Sequence, residues 1–421
     1  MGHPLESFAP GADRIVGAMQ RVAMLSVHTS PLAQPGAGDG GGMNVYVRAL
    51  ASALARAGVA VDVLTRAEHP EQPPCVEVEP GFRVLHVPAG PCAPVPLRDL
   101  PDLVGAFTDE ARAVLTRAGG YDVLHANYWV SGAVGHRLKH ELDLPLVTTF
   151  HTLERVKAEV GLGDAVPLRP RVEAEVVRCA DLVVASTREE HDQLVRHYGA
   201  DPERIEIITP GVDHTVFSPG DRARARRHLG LSGGPVLLFV GRIQPLKGAD
   251  LAVRTLAEVR DRRAQLVVVG GPSGPDGVGE VEALHALVAE LGLEHRVRFV
   301  APQPHDQLVE YYRAADVCVV PSRTESFGLV ALEAAACGTP VVAANVGGLR
   351  LLIDDGVTGF LVDERDPAAY AARIDRILSD ECGELGAHAY ARSTRYRWSI
   401  AAARLRRHYD DLTARATVKC N

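Results

Sequence analysis

At 421 residues the chain is too long for one ordinary core, and its length sets an expectation of two or three domains. With 46% apolar and 23% charged residues it has a globular composition, and its longest apolar runs, such as PVLLFVG at 235–241, fall far short of the roughly 20 residues that span a bilayer. A net charge of −8, 5% aromatic residues and no Lys/Arg block exclude a nucleic-acid footprint, so an anionic substrate must be held locally.

Residues 1–19 lack a basic start and an apolar run, so they read as a flexible leader and not a secretion signal, which sets the expectation of a cytoplasmic protein. Apolar runs then alternate with helical patterns: RVAMLSV, VAVDVLTR, FRVLHVPA, VLHA, LPLVTTF, LVVAS and IEIITPG. The series restarts near 235 with VLLFVG, QLVVVGG, VRFV, VCVVPS, PVVAANV and GFLV. Such alternation predicts α/β architecture: two doubly wound domains of parallel strands with helices on both faces. Pro-Gly turns flank the unpatterned stretch 209–221, which places one domain at 20–212 and a second at 213–395. The last stretch, 396–421, is helical and is expected to pack back toward the first domain. Seven cysteines, odd in number and never spaced C-x-x-C, argue for packed thiols and against both a disulfide framework and a metal site.

The stretch GAGDGGGMNVYVRALASALARAG, 36–58, matches G-x-G-x-x-G at Gly36, Gly38 and Gly41 and runs into an amphipathic helix. A dinucleotide site needs the first glycine at the strand's end, with an acidic residue about 20 positions further on. Here Pro31 and Pro35 lie between the strand and the first glycine, and Asp62 falls inside the next strand, whose end is Thr65-Arg66. The tight turn is missing. What remains is a glycine cradle opening a helix, suited to a ligand that approaches the backbone closely.

In the second half, GRIQPLKGAD places Arg242 and Lys247 in a loop that follows a parallel strand and precedes a helix from about Ala249. Lys247 is one of four lysines among 45 basic residues, and two cations beside a helix N-terminus suit a phosphate. SRTESFGLVALEAAACGTP, 322–340, predicts a helix from about Ser326 to Cys337. Glu325 stands at its entrance, where it could cap the first turn. Glu333 is embedded among small apolar residues, costly without partners that ribose hydroxyls could supply.

The motifs E-S-F-G-L-V-A-L-E and, upstream, G-R-I-Q-P-L-K-G, in this order, resemble the retaining GT-B glycosyltransferases of family 4 over roughly 20–410. That resemblance implies two Rossmann-like domains facing a deep cleft. The stretch S-V-H-T-S-P-L-A-Q-P-G-A-G-D-G-G-G-M-N-V-Y-V is most similar to the branch that moves N-acetylglucosamine from UDP-N-acetylglucosamine to 1D-myo-inositol 3-phosphate, the opening step of actinobacterial mycothiol biosynthesis.

By the same resemblance, Arg242 and Lys247 hold the donor diphosphate and Glu333 the ribose. Glu325 and the stretch Ser326, Phe327, Gly328 and Leu329 meet the donor sugar. Gln34, Pro35 and Gly42 approach the donor from the other domain, and His151 lies near the reacting carbon. The acceptor set is His28, Asp39, Gly41, Met43, Asn44, Tyr128, Thr152, Arg169 and Arg98, with Arg169 on the acceptor phosphate. The family's lysine in the loop after A-G-P is replaced here by Leu97, with Arg98 beside it.

The departure at Leu97 keeps open the antibiotic-pathway relatives, which use other sugar nucleotides and acceptors, small thiols included. A sugar-nucleotide epimerase is the rival from another class. The resemblance further implies a homodimer, retention at the anomeric carbon, exclusion of water on domain closure, and no cofactor beyond the sugar nucleotide consumed as substrate.

Overall fold

The computed structural model describes residues 20–36, 38, 40–163, 166–274, 277–379, 383–415 and 417–418; the leader expected at 1–19 lies outside them. The chain divides into two units. Of the described residues, the first takes in those up to Ala33, Met43–Thr209 and those from Trp398; the second takes in Gln34–Gly42 and Pro210–Arg397.

In the first unit the strands are β1 (Arg21–Leu25), β2 (Ala60–Arg66), β3 (Cys75–Glu79), β4 (Phe82–Val87), β5 (Val123–Asn127), β6 (Leu146–Thr149), β7 (Leu182–Ala185) and β8 (Ile205–Ile207). They form one sheet in the order β3-β4-β2-β1-β5-β6-β7-β8, parallel except for the β3–β4 pair. The strand order reverses between β1 and β5, so the loops leaving these two strands flank a crevice at their carboxyl ends, the place where open α/β sheets take ligands.

Asp62 lies within β2 and is fully committed there. Arg83 binds both of its oxygens at 2.7 and 2.8 Å, while Arg21 and the Tyr121 hydroxyl donate to Oδ2 at 2.7 and 2.6 Å. Burial pushes its carboxyl up, but the hydrogen bonds from Arg83, Tyr121 and Arg21 outweigh burial and hold it below the usual range. Both oxygens are thus engaged inside the unit, where Asp62 braces β2.

The helix Trp398–Thr413 belongs to this first unit. It buries Trp398, Leu405 and Tyr409, each burial contributing about 1.5–3 kcal/mol. Its Tyr409 hydroxyl lies 2.7 Å from His125 Nδ1 in β5.

The second unit holds β9 (Val236–Val240), β10 (Gln265–Val269), β11 (Val297–Val300), β12 (Val317–Val320), β13 (Val341–Ala344) and β14 (Gly359–Val362), all parallel, in the order β11-β10-β9-β12-β13-β14. Side chains alternate across the sheet. Val236, Leu238, Val267, Val269, Cys318 and Val320 enter one core, and Leu237, Phe239, Leu266, Val268, Val317 and Val319 the other. Here the order reverses between β9 and β12.

Three expectations change. The segment Gln34–Gly42, expected within 20–212, groups with the second unit: Gly271 N donates to Gly36 O at 3.1 Å. The second unit begins at Pro210 and not at 213. The 322–340 helix starts at Leu329 and not near Ser326, because Gly328 adopts φ +100°, a left-handed conformation that stops the helix from extending backwards.

Candidate active site

In the second unit the loops after β9 and β12 meet at the reversal of strand order. Gly248, φ +73°, makes this contact possible, since a Cβ there would lie 2.4 Å from the Pro321 carbonyl oxygen. Arg323 N donates to Leu246 O at 2.9 Å and ties the loops together. Across this seam the Lys247 ammonium donates to Glu325 Oε2 at 2.6 Å. Glu325 therefore does not cap the helix, which has no side-chain cap; Gly348 N holds its carbonyl at 2.9 Å.

Arg242 donates to Ser273 Oγ at 3.2 Å, and a Cβ on Gly41 would stand 3.1 Å from Arg242 Nε. Glycine at 41 thus lets the backbone press against the guanidinium. Gly41, assigned to the acceptor by resemblance, lies against Arg242. Gly42 lies beside Leu329, 3.8 Å from its Cδ1 if a Cβ is built, and Gln34 donates to the Gln303 carbonyl and to the Pro35 carbonyl. Phe327 sends its ring into the core against Tyr396, so only its backbone is offered to a ligand.

Glu333 is buried with both oxygens engaged: Oε1 lies 2.6 Å from His305 Nε2, and Oε2 accepts from the Tyr312 hydroxyl at 2.7 Å. The partners that the sequence reading sought in ribose hydroxyls are supplied in part by the protein itself. A ribose would use the remaining lone pairs.

In the first unit the loops after β1, β5 and β6 carry His28, Tyr128 and His151. Tyr128 has φ +77° and ψ 159°, and His151 φ +64°, conformations that cost a bulky residue about 1–3 kcal/mol each. Rings of His28 and Tyr128 lie 5.2 Å apart. His151 Nε2 is 3.0 Å from Asn127 Oδ1, and its ring stands edge-on to Tyr46 at 4.7 Å. Burial, with His125 adding to it, pushes the His151 imidazole down to about 3, so it is neutral near pH 7.

Arg169 is fully buried. It donates to Glu173 at 2.7 Å, Tyr128 Oη at 3.0 Å, and Thr152 O and Oγ1 at 2.8 and 3.0 Å, and pairs with Glu154 at 3.4 Å. Asn44 is buried and donates to Thr29 Oγ1 at 2.8 Å, bracing the loop after β1. Met43 packs on the core of this unit. Arg98 points outward, its side chain 68% exposed and 3.6 Å from Asp99. Asp39 lies outside the described residues.

Residues 40–216 match the family model described as Glycosyltransferase Family 4, and residues 221–397 the model described as Glycosyl transferases group 1. The D-inositol 3-phosphate glycosyltransferase of Acidothermus cellulolyticus is 51% identical over 392 residues, 90% of this chain and 87% of that relative. The chain belongs to the family 4 glycosyltransferases.

The D-inositol 3-phosphate glycosyltransferase of Geodermatophilus obscurus is 53% identical to this glycosyltransferase over 376 residues, 86% of this chain and 82% of the relative. Among solved structures, sucrose-phosphate synthase of Thermosynechococcus elongatus superposes with a TM-score of 0.86 at 36% identity, covering 94% of this chain and 99% of that one. HepE of Anabaena, solved with UDP-glucose, gives a TM-score of 0.75 at 23% identity over 93% and 99% of the two chains, a likeness of fold alone. The two units of the glycosyltransferase are the Rossmann-like pair of the GT-B fold.

Sequence reasoning missed His305, Tyr312, Ser273, Asn127 and Glu154. None carries a local motif; each joins the site through the tertiary fold. One further cluster has no place in this chemistry. His136 and His140, a turn apart, bring ring nitrogens within 4.8 Å of Cys179 Sγ. Cys179 is disulfide-bonded, which corrects the expectation of packed thiols throughout and removes its sulfur as a thiolate ligand; Cys75, Cys92, Cys318 and Cys337 are free thiols. Among the described residues no helix is long and apolar enough to cross a membrane.

Proposed function

We propose that this glycosyltransferase moves N-acetylglucosamine from UDP-N-acetylglucosamine to a small inositol-class acceptor, with retention at the anomeric carbon. The observation that carries the donor half is the convergence of Arg242, Lys247, Glu325 and the buried Glu333 in one unit, the first three in loops where its strand order reverses. Cations there stabilise the negative charge that grows on a departing diphosphate, usually among the largest electrostatic effects in such a site. Glu333 takes ribose hydroxyls, and Glu325 with the amides up to Leu329 takes the sugar. No metal or other cofactor is part of the proposal.

The acceptor half rests on the relatives, named for D-inositol 3-phosphate, and on the polar group formed by His28, Tyr128, Thr152 and Arg169. In the step, the bond between the anomeric carbon and the phosphate oxygen breaks. An acceptor hydroxyl oxygen bonds to that carbon on the same face, and its proton passes to the leaving phosphate. His151, being neutral, takes no proton in this account. We place the enzyme in the cytoplasm as a homodimer.

The test is incubation with UDP-N-acetylglucosamine and a panel of inositols, with UDP and glycoside quantified by mass spectrometry and the product's anomeric configuration read by NMR. An inverted product contradicts retention. UDP release that no acceptor stimulates contradicts the inositol assignment.

A further inference from the structure

We infer that Tyr46 is a positioning residue for His151: its ring contacts both His151 and Trp398, and so ties the orientation of that histidine to the last helix of the first unit. The inference rests on the transfer reading above and on the expectation that His151 lies near the reacting carbon.

His151 is a residue that needs holding. It stands two positions beyond β6, and its φ of +64° is a left-handed conformation that a ring-bearing residue keeps only where its surroundings over-determine it. Its Nε2 lies 3.0 Å from Asn127 Oδ1 at the end of β5, and because a carboxamide oxygen only accepts, Nε2 carries the proton. In an imidazole Nε2 lies close to the line of the Cβ–Cγ bond, so this hydrogen bond tolerates tilting of the ring about that bond. An edge-on neighbour resists it. Tyr46, in the helix Gly42–Arg56, is that neighbour, with ring centroids 4.7 Å apart and planes at 77°.

Tyr46 is fixed in turn. It is buried, and it meets the Trp398 ring at 5.4 Å and 78°. Trp398 opens the helix Trp398–Thr413 and is buried there. A second line leaves the same helix: Tyr409 Oη lies 2.7 Å from His125 Nδ1, and His125 Nε2 lies 2.9 Å from the hydroxyl of Thr149, two residues before His151. Thr149 also acts on Tyr46, since burial pushes that phenol up and Thr149 draws it partly back. The last helix thus reaches the His151 turn through rings and through hydrogen bonds. Such support decides how exactly a group meets the reacting atoms.

The test combines kinetics and NMR on the full chain. With UDP-N-acetylglucosamine and 1D-myo-inositol 3-phosphate, Tyr46→Leu is expected to lower kcat about tenfold, the scale of a small misplacement near the reacting atoms, and to leave UDP affinity unchanged. Tyr46→Phe keeps the ring and is expected to stay close to wild type. In a His151→Ala background Tyr46→Leu is expected to cost nothing further. An equal loss in both backgrounds overturns the inference, as does a Tyr46→Phe enzyme as slow as Tyr46→Leu. On protein with 15N-labelled histidine, solvent exchange of the His151 Nε2 proton is expected to quicken about tenfold in Tyr46→Leu and not in Tyr46→Phe. Unchanged exchange in Tyr46→Leu overturns the inference too. If Tyr46→Leu fails to fold, Trp398→Leu, which removes the support of Tyr46, is expected to lower kcat and quicken the same exchange about threefold, and no change in either overturns the inference equally. A His151→Ala enzyme with wild-type kcat contradicts the placement of His151 near the reacting carbon instead, while the exchange measurement still decides whether Tyr46 holds its ring.

Discussion

Lys247 and Glu325 form an ion pair of 2.6 Å that joins the loop after β9 to the loop after β12. The carboxylate holds the ammonium where the strand order reverses, the position the proposed donor site gives to the diphosphate. Lys247→Ala is expected to lower kcat by about 10²–10³, the range for loss of one charge-stabilising group. Lys247→Arg is not expected to restore it, because a planar fork does not replace a compact ammonium. Steady-state kinetics on UDP-N-acetylglucosamine decide this; an unchanged kcat in Lys247→Ala removes the lysine from the reaction.

Glu333 is held by His305 and Tyr312 and still has lone pairs for a ribose. Glu333→Gln is expected to weaken UDP binding about tenfold, the loss of one hydrogen bond to a charged group. Glu333→Ala additionally leaves the buried Tyr312 hydroxyl without its acceptor and is expected to cost about 1–3 kcal/mol of stability. Calorimetry with UDP and denaturant melts separate the two effects.

Asp62 answers the question raised by the G-x-G-x-x-G match. Its oxygens are taken by Arg83, Arg21 and Tyr121, so it braces β2 and its neighbours. Asp62→Asn is expected to cost about 1–3 kcal/mol, because the partly exposed Arg21 and Arg83 lose a charged acceptor but can still be hydrated. The wild type is expected to leave NADH fluorescence unchanged. Quenching at micromolar protein would revive the dinucleotide reading.

Much of this was legible in the sequence where apolar runs are continuous, as in VLLFVG and QLVVVGG, since strands covered on both faces need no polar alternation. β3, CVEVE, escaped notice: it is a half-buried antiparallel strand at the sheet's edge, and its alternating glutamates break the run. The start of the Leu329–Ala336 helix was misplaced because φ at Gly328 leaves no mark in a sequence full of glycines. Lys247 and Arg242 stood out by composition and motif. Partners such as His305, 28 residues from Glu333, or Glu154 beside Arg169, exist only once the loops fold together.

His125 sits in β5 with 0% exposure, between Tyr409 Oη and Thr149 Oγ1, and burial pushes its imidazole down to about 3. The unfolded chain binds a proton there near pH 6.5 while the folded chain does not, so stability is full above pH 6.5 and is lost as pH falls toward 3. His151 adds to the same loss, also being pushed down to about 3. His125→Asn is expected to flatten the fall in melting temperature between pH 6.5 and 4 relative to wild type. An unchanged slope contradicts the assignment.

The central claim is glycosyl transfer from a sugar nucleotide, and its most direct measurement is product formation. Purified protein is incubated with UDP-N-acetylglucosamine and a panel of inositols that includes 1D-myo-inositol 3-phosphate, alongside the Lys247→Ala variant, and UDP and glycoside are counted by mass spectrometry. The account predicts equal amounts of UDP and glycoside that depend on the acceptor and fall about 10²–10³-fold in the variant. No glycoside from wild type, or glycoside formed equally well by the variant, would contradict it.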